Sequence, residues 1–320
     1  MIIKTKRIAI SLACLLCMFL LVGAAKDEVA SVSDEITTAE EMPAATDSAA
    51  AQDLPAAEME ENSAEEEELP PVQPEVPAEP AFLTVDGTPV EIHYTLHEGE
   101  TTYVSVVDFV EAVAPEGTVT WTGNGVEVKT DKLTMTAVLG QKYVVANDRY
   151  LYVEDGVMLY EDATMLPAAV LAKAFDATLV WDVETATIDI FSGSGALESG
   201  ETFYAEDAVY WLSHIINAES GNQPLAGKIA VGNVIMNRVE SPLFPNTIYT
   251  VIFQRNQFSP ASSGAIYRDA NQESVIAAKL VLDGAEVLDN ALYFNRVGMD
   301  CWASRNKTLV ATIGAHAFYA

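Results

Sequence analysis

The stretch HIINAESGNQPLAGKIAVGNVIMNRV, residues 214–239, carries two helical patterns separated by Gly221 and Pro224. In the first, Ala208, Trp211, Leu212, Ile215 and Ile216 form one apolar stripe, and Glu219 falls at its centre, about 40° from Ile215 on a helical wheel. Glu206 and Asp207 suit a first turn, and Gly221 with Pro224 ends the helix, so Glu219 occupies the last turn. Tyr210, Ser213 and Asn217 lie on the other side, as for a face in water. A carboxyl in the stripe has two readings. It turns outward at a frayed end or pairs with a cation such as Arg238; or it lines a cleft, where lost solvation raises its pKa and makes it a proton donor. The helix dipole, unfavourable to negative charge at a C-terminus, pushes the same way. Periodicity alone leaves both readings open.

The second pattern, from Leu225 to Val239, is apolar on nearly all sides through Ala226, Ile229, Ala230, Val234 and Ile235, which predicts a central, buried helix. Asn233 and Asn237 share the side of Ala226 and Ala230. Buried amides need partners, so they read as internal locks or as a polar wall near the cleft. Downstream, VIFQRNQFSPASSGAIY, NALYFNRVG and IGAHAFYA set aromatics beside amides, a combination that can hold a sugar ring and that equally suits core strands.

Upstream the composition changes sharply. Residues 1–25 carry Lys4, Lys6 and Arg7, an uncharged run from Ile8 to Val22, and the small residues VGAAK, the layout of a secretory signal peptide. An uncleaved membrane anchor is the alternative. Either places the protein outside the cytoplasm, as a secreted or cell-envelope protein. Residues 26–80 are rich in Ala, Glu, Pro and Ser and read as a disordered acidic spacer. Residues 81–193 alternate apolar and polar positions in short runs, with helical patterns at Ser105–Ala114 and Leu166–Phe175. They contain an internal repeat: YVSVVDFVEAVAPEGTVTWTGNGVEVKT and TMLPAAVLAKAFDATLVWDVETATIDIF share a helix, a strand ending near Trp121 or Trp181, a turn and a final strand. This unit resembles the copper-amine-oxidase N-terminal-like domain. The resemblance implies no copper, and His93 and His97, four apart in a strand-like stretch, are about 13 Å apart, too far for one ion. The stretch 194–202, SGALESGE within it, reads as a flexible linker to a second domain, 203–320.

Charge narrows the partners. The net charge of −30 divides into +3 over residues 1–25, −16 over residues 26–80, −14 over residues 81–199 and only −3 over residues 200–320. No basic stripe exists after the signal segment, which argues against nucleic acid. With Cys14 and Cys17 in that segment, Cys301 is the remaining cysteine, so no internal disulfide framework is available.

The run HIINAESGNQPLAGKIAVGNVIMNRVESPLFPNTIYTVIFQRNQFSP, followed by ALYF and IGAHAFY, resembles the SleB-type cell-wall hydrolases, the spore-cortex-lytic enzyme family, through essentially all of residues 204–320. Two positions depart from the common pattern: Ala315, where an Asn is frequent, and the run around Cys301. The resemblance implies a multidomain α+β chain: a small repeated strand-helix-hairpin domain, then a mainly helical, lysozyme-like catalytic domain. It implies that Glu219 is the single catalytic carboxylate of a peptidoglycan-cleaving lytic transglycosylase or muramidase. It implies no metal and no cofactor. Glu240, Asp269, Glu273, Asp283, Glu286, Asp289 and Asp300 are expected in turns or on helix surfaces, so none is expected to serve as a second acid. Gln257, Ser259, Tyr293 and Asn295 are the candidates for holding the glycan. The alternatives are a non-catalytic wall-binding or germination-assembly protein, a zinc amidase built around His214 and His316, and a cysteine peptidase pairing Cys301 with His316 with no helix N-terminus to activate the thiol.

Overall fold

The computed structural model describes residues 82–98, 101–182 and 187–320; the signal segment 1–25 and the acidic spacer 26–80 expected from the sequence lie outside them. The first body opens with β1 (Phe82–Val85), β2 (Thr88–Val90), β3 (Thr95–Glu98), β4 (Thr101–Ser105), α1 (Val106–Val113), β5 (Thr118–Trp121) and β6 (Gly125–Lys129). It continues through β7 (Thr134–Val138), β8 (Tyr143–Ala146), β9 (Arg149–Tyr152), β10 (Met158–Tyr160), β11 (Ala163–Pro167), α2 (Ala168–Ala174), β12 (Thr178–Asp182) and β13 (Thr187–Phe191). Period-two patterning sets the strand faces: on β7, Met135 and Ala137 are buried while Thr134 and Thr136 are exposed. The Ser105 hydroxyl accepts from the Asp108 N–H and starts α1 where the sequence placed a helix.

Three sheets result, ordered β12-β13-β1-β2, β10-β11-β4-β3 and β5-β6-β7-β8-β9. The order strand, helix, hairpin occurs twice, as β4-α1-β5-β6 and β11-α2-β12-β13. The two occurrences meet where β4 pairs antiparallel with β11 and where Phe109 of α1 stands 5.7 Å from Phe175. β1 lies parallel to β13, which sets the last strand of this body beside its first.

The second body comprises α3 (Gly200–Phe203), α4 (Glu206–Ser220), α5 (Leu225–Glu240), α6 (Ile248–Ile252), α7 (Ser259–Ser263), α8 (Gln272–Leu282), β14 (Tyr293–Arg296), α9 (Trp302–Asn306), β15 (Leu309–Ile313) and β16 (His316–Tyr319). Its core gathers Leu212, Ile215 and Ile216 of α4, Ile229, Val234 and Ile235 of α5, and Ala277 and Leu280 of α8. Gly232 permits the α5–α8 approach, since a Cβ there would lie 2.7 Å from Val281. The antiparallel sheet β14-β16-β15 contains the YFNR and HAFY runs, in the two stretches whose sequence equally suited core strands. Phe318 of β16 belongs to the same core.

The stretch read as a flexible linker is bonded along its length. Lys132 Nζ donates to the Ser194 carbonyl (2.9 Å), Asn147 Nδ2 to the Leu197 carbonyl (3.3 Å), and the Gly200 N–H to the Asn147 carbonyl (2.7 Å). Leu197 is buried, and these bonds and contacts offset the entropy lost on ordering the segment. The two bodies then meet at Asp283, the C-cap of α8. Its carboxylate accepts from Arg149 Nε (3.1 Å) and from the Tyr204 hydroxyl, and lies 3.3 Å from Lys173 Nζ. Asp283, expected in a turn or on a helix surface, does lie in the turn after α8, but its side chain is only 2% exposed. The partners that make this burial tolerable are 134 and 110 residues away in sequence, beyond any local pattern.

Candidate active site

The apolar stripe of α4 is as the wheel drew it: Leu212, Ile215 and Ile216 are fully buried. Glu219 lies on that stripe one turn further along, half-buried, in the last turn before Gly221. No hydrogen bond or ion pair among the described residues reaches its carboxyl. Burial alone pushes its pKa up from 4.5 to about 7. A carboxyl in that state is protonated over much of the acidic to neutral range, and in that form it donates a proton.

The chain around it is held firmly. Asn217 Oδ1 accepts from the Asn271 N–H (3.1 Å) and the Ser274 hydroxyl (3.3 Å), and Asn271 Nδ2 donates to the Gly221 carbonyl (3.1 Å). Lys228, 1% exposed, bonds both the Gln223 carbonyl and Glu273 Oε2. Gln223 Oε1 in turn accepts from the Ala315 N–H (2.8 Å) at the turn between β15 and β16. Gly314 makes that turn at φ +56°, where an added Cβ would strike the Gln223 amide. The loop after Glu219 is therefore fixed from α8, from α5 and from the sheet. Sequence reading missed Asn271, Gln223 and Lys228 in this role; the legible signal was a lone lysine inside an otherwise apolar helix.

The far side of α4 differs from expectation. Ser213 is 3% exposed rather than in water, and His214, also buried, bonds the Ile266 carbonyl through Nδ1 (2.7 Å) and stacks on Tyr210. The segment around Ile266, which packs on α4, covers this side. Arg238, the cation considered for Glu219, is committed elsewhere. Its Nε donates to the Leu292 carbonyl (2.7 Å) and Nη1 to Gln257 Oε1 (3.1 Å), with Phe244, Phe258 and Tyr293 around the guanidinium. Burial lowers its pKa to about 10. Asn233 locks α5 through the Ala285 carbonyl (2.7 Å) and the Val287 N–H (3.0 Å), and Asn237 bonds the Ala291 carbonyl (3.1 Å). The lock reading of both amides matches these bonds.

Of the four glycan-holding candidates, Gln257 and Tyr293 converge on Arg238, near the C-terminal end of α5 and about 20 Å along that helix from Leu225. Asn295 follows two positions after Tyr293 on β14, and its side chain bonds the Cys301 thiol. Ser259 is exposed at the start of α7. No bond joins any of the four to Glu219. β14 runs antiparallel to β16, pairing Tyr293 with Tyr319 and Arg296 with His316. The sheet thus leads from Arg238 at one end towards the Gln223 loop at the other. His316, near that loop, has an enclosed Nδ1 with no partner and a pKa lowered by burial. Sequence reading had weighed His316 only as a partner for Cys301 or zinc. Cys301 itself caps α9, accepting from the Ser304 N–H (3.4 Å), which corrects the expectation that no helix N-terminus lies beside it. Burial raises the thiol pKa, but bonds from Ser304 and Asn295 outweigh it and leave the net shift downward. His316 instead meets Phe294 and Phe318 edge-on.

A half-buried carboxyl on a braced helix end, without a partner among the described residues, can hold a proton and release it to a bound group. Residues 222–319 match the Cell Wall Hydrolase family model. The match opens three residues after Glu219, so the proton donor proposed below stands on its own geometry. Residues 84–190 match the copper amine oxidase N-terminal domain. The cell-wall-hydrolase segment is similar to the spore cortex-lytic enzyme of Bacillus cereus, 34% identical over 118 residues, 36% of this chain and 45% of that protein. The spore cortex-lytic enzyme of Oceanobacillus iheyensis is 30% identical over 114 residues, 32% of this chain and 41% of that protein. The chain thus spans less than half the length of these curated relatives. Among solved structures, the catalytic domain of the germination-specific lytic transglycosylase SleB from Bacillus anthracis is 29% identical; the alignment covers 39% of this chain and all of that one, with a TM-score of 0.35.

Proposed function

We propose that this protein cleaves peptidoglycan glycan strands, with Glu219 as its single acid–base residue. The observation that carries this is a half-buried carboxyl at the end of α4 with no partner among the described residues, a setting in which burial raises the pKa. The cell-wall-hydrolase match of the flanking segment supplies the substrate class. Protonated Glu219 gives its proton to the glycosidic oxygen between N-acetylmuramic acid and N-acetylglucosamine as the C1–O bond breaks. The substrate's N-acetyl group stabilises the developing cation. The Glu219 carboxylate then takes the proton from the 6-hydroxyl as that oxygen closes on C1, giving a 1,6-anhydro ring without water.

Three other acids of the second body are tied up in ion pairs, which favours one carboxylate over two. Asp283 is bound to Arg149, Glu273 to Lys228, and Asp300 to Arg305. In this reading residues 203–320 are a lysozyme-like catalytic domain, Gln257, Ser259, Tyr293 and Asn295 hold the glycan away from the cleavage point, and residues 1–25 export the chain to the cell envelope. Residues 26–80 give the domain reach, and 81–193 form the repeated domain before the 194–202 connection. The test is digestion of purified peptidoglycan with mass analysis of the fragments. Anhydro-muropeptides from the parent chain and none from Glu219→Gln are expected. Reducing ends without anhydro products would contradict transglycosylation, and full activity in Glu219→Gln would contradict the site.

A further inference from the structure

The internal repeat leaves one feature that cleavage at Glu219 does not use. Trp121 on β5 and Trp181 on β12 hold equivalent places in the two occurrences, each on the first strand of a hairpin that follows a helix. Trp121 pairs with Val126 beside Val119↔Val128, and Trp181 pairs with Ile188 beside Leu179↔Ile190. Cross-strand partners share a face, so both rings stand on the core face of their hairpins. The partners Val126, Val128, Ile188 and Ile190 are buried, yet Trp121 is 54% and Trp181 43% exposed. Neither indole joins the packed interior, although Val119 and Leu179 two positions earlier do. Each ring overhangs the edge of the core.

Both strands are also the outer strands of their sheets, in the orders β5-β6-β7-β8-β9 and β12-β13-β1-β2, so each ring is reachable from the side. The turn that follows Trp121 is polar: Thr122 and Asn124 are exposed there, the Thr122 hydroxyl 3.4 Å from Asn124 Oδ1. Val180 and Phe191, exposed near Trp181, belong to the opposite face of that hairpin by register. At Trp121, a single flat indole with a hydroxyl and an amide in the turn beside it differs from the contiguous apolar patch that a protein partner requires. It matches a pyranose ring, whose C–H face stacks on the indole while its hydroxyls and acetamido group reach polar neighbours. Charge points the same way. With −14 over residues 81–199, this body has no electrostatic attraction for an anionic polymer, which leaves contact with uncharged sugar faces as the way it would hold such a polymer.

We propose that Trp121 and Trp181 are two stacking platforms for N-acetylated sugar rings, through which the repeated body holds the glycan that the second body cuts. The inference rests on the wall-glycan reading above. Duplication suits a repeating polymer, because two weak contacts on one strand bind more tightly than either alone.

The test uses the full chain carrying Glu219→Gln, sedimented with purified insoluble peptidoglycan. Trp121→Ala and Trp181→Ala are each expected to weaken binding about three- to tenfold, and the double variant by more than about tenfold. Phe at both positions, which keeps a ring, is expected to retain most of the binding. Double-alanine protein that sediments like its parent, or double-Phe protein as weak as double-alanine, overturns the proposal. Soluble N-acetylglucosamine tetramer added to the unsubstituted platforms provides a second readout free of folding effects. The indole N–H resonances of Trp121 and Trp181 should shift, and resonances that stay put overturn the idea. Muropeptide release by the parent chain is scored separately: its absence sinks the cleavage reading and leaves the binding result to decide the platforms.

Discussion

Two carboxyls of the second body are withdrawn from water, and their surroundings could hardly differ more. At the seam between the bodies, Asp283 is met by Arg149, Lys173 and the Tyr204 hydroxyl, and the Arg149 guanidinium also lies 3.4 Å from the Phe203 ring centroid. Burial, and then the bond to Asp283, raises the Tyr204 pKa, so that hydroxyl stays a donor. At the end of α4, Glu219 has none of this and its pKa moves to about 7. Loss of water is common to both sites; what separates them is compensation. The compensated carboxylate fastens two bodies, and the uncompensated one keeps a proton that it can give away.

The comparison can be broken most forcefully at Glu219. Glu219→Gln should cut muropeptide release by about 10²–10⁴-fold, the usual worth of a positioned acid–base group, while leaving the fold intact by circular dichroism. Asp283→Ala should do the reverse. It strands Arg149 in the seam, and a cost of about 3–5 kcal/mol should appear in denaturant unfolding, with the chemistry of Glu219 untouched in whatever protein remains folded.

A pH series sharpens the contrast further. The folded pKa of Glu219 lies above its unfolded value of 4.5, so its favourable contribution is complete below about 4.5 and is lost as pH rises through about 7. Glu219→Gln has no such loss. The variant and parent should be equally stable near pH 4, and the variant should be ahead by up to about 3 kcal/mol at pH 8 in parallel unfolding curves. Cleavage by the parent should decline over the same interval as the donor form disappears. The smallest effect belongs to the interior lock: Asn233→Ala leaves the Ala285 carbonyl and Val287 N–H unpaired and should cost about 1–3 kcal/mol in thermal unfolding.

What could be read from the sequence divides along the same line. The anomaly of Glu219 was legible because it is local, one carboxyl in a stripe whose period is set by five neighbours on the same helix. The two helices of the repeat and the long buried α5 were legible for the same reason. Asp283 was not, since its surroundings are assembled from β9, α2 and α3. The burial of Ser213 was equally hidden, because the segment that covers it begins some fifty residues later. Gln257 and Tyr293 were named as glycan contacts from their composition alone. That they meet at Arg238 depends on how α5 and the loop before α7 pack, which no periodicity encodes.

Glu219 keeps its proton near neutrality because no group among the described residues compensates its charge. Carbon-13 NMR titration of the Glu side-chain carboxyls, with Glu219→Gln to assign the resonance, measures this directly. A midpoint near pH 7 is the predicted result; a midpoint near 4.5 would contradict the account.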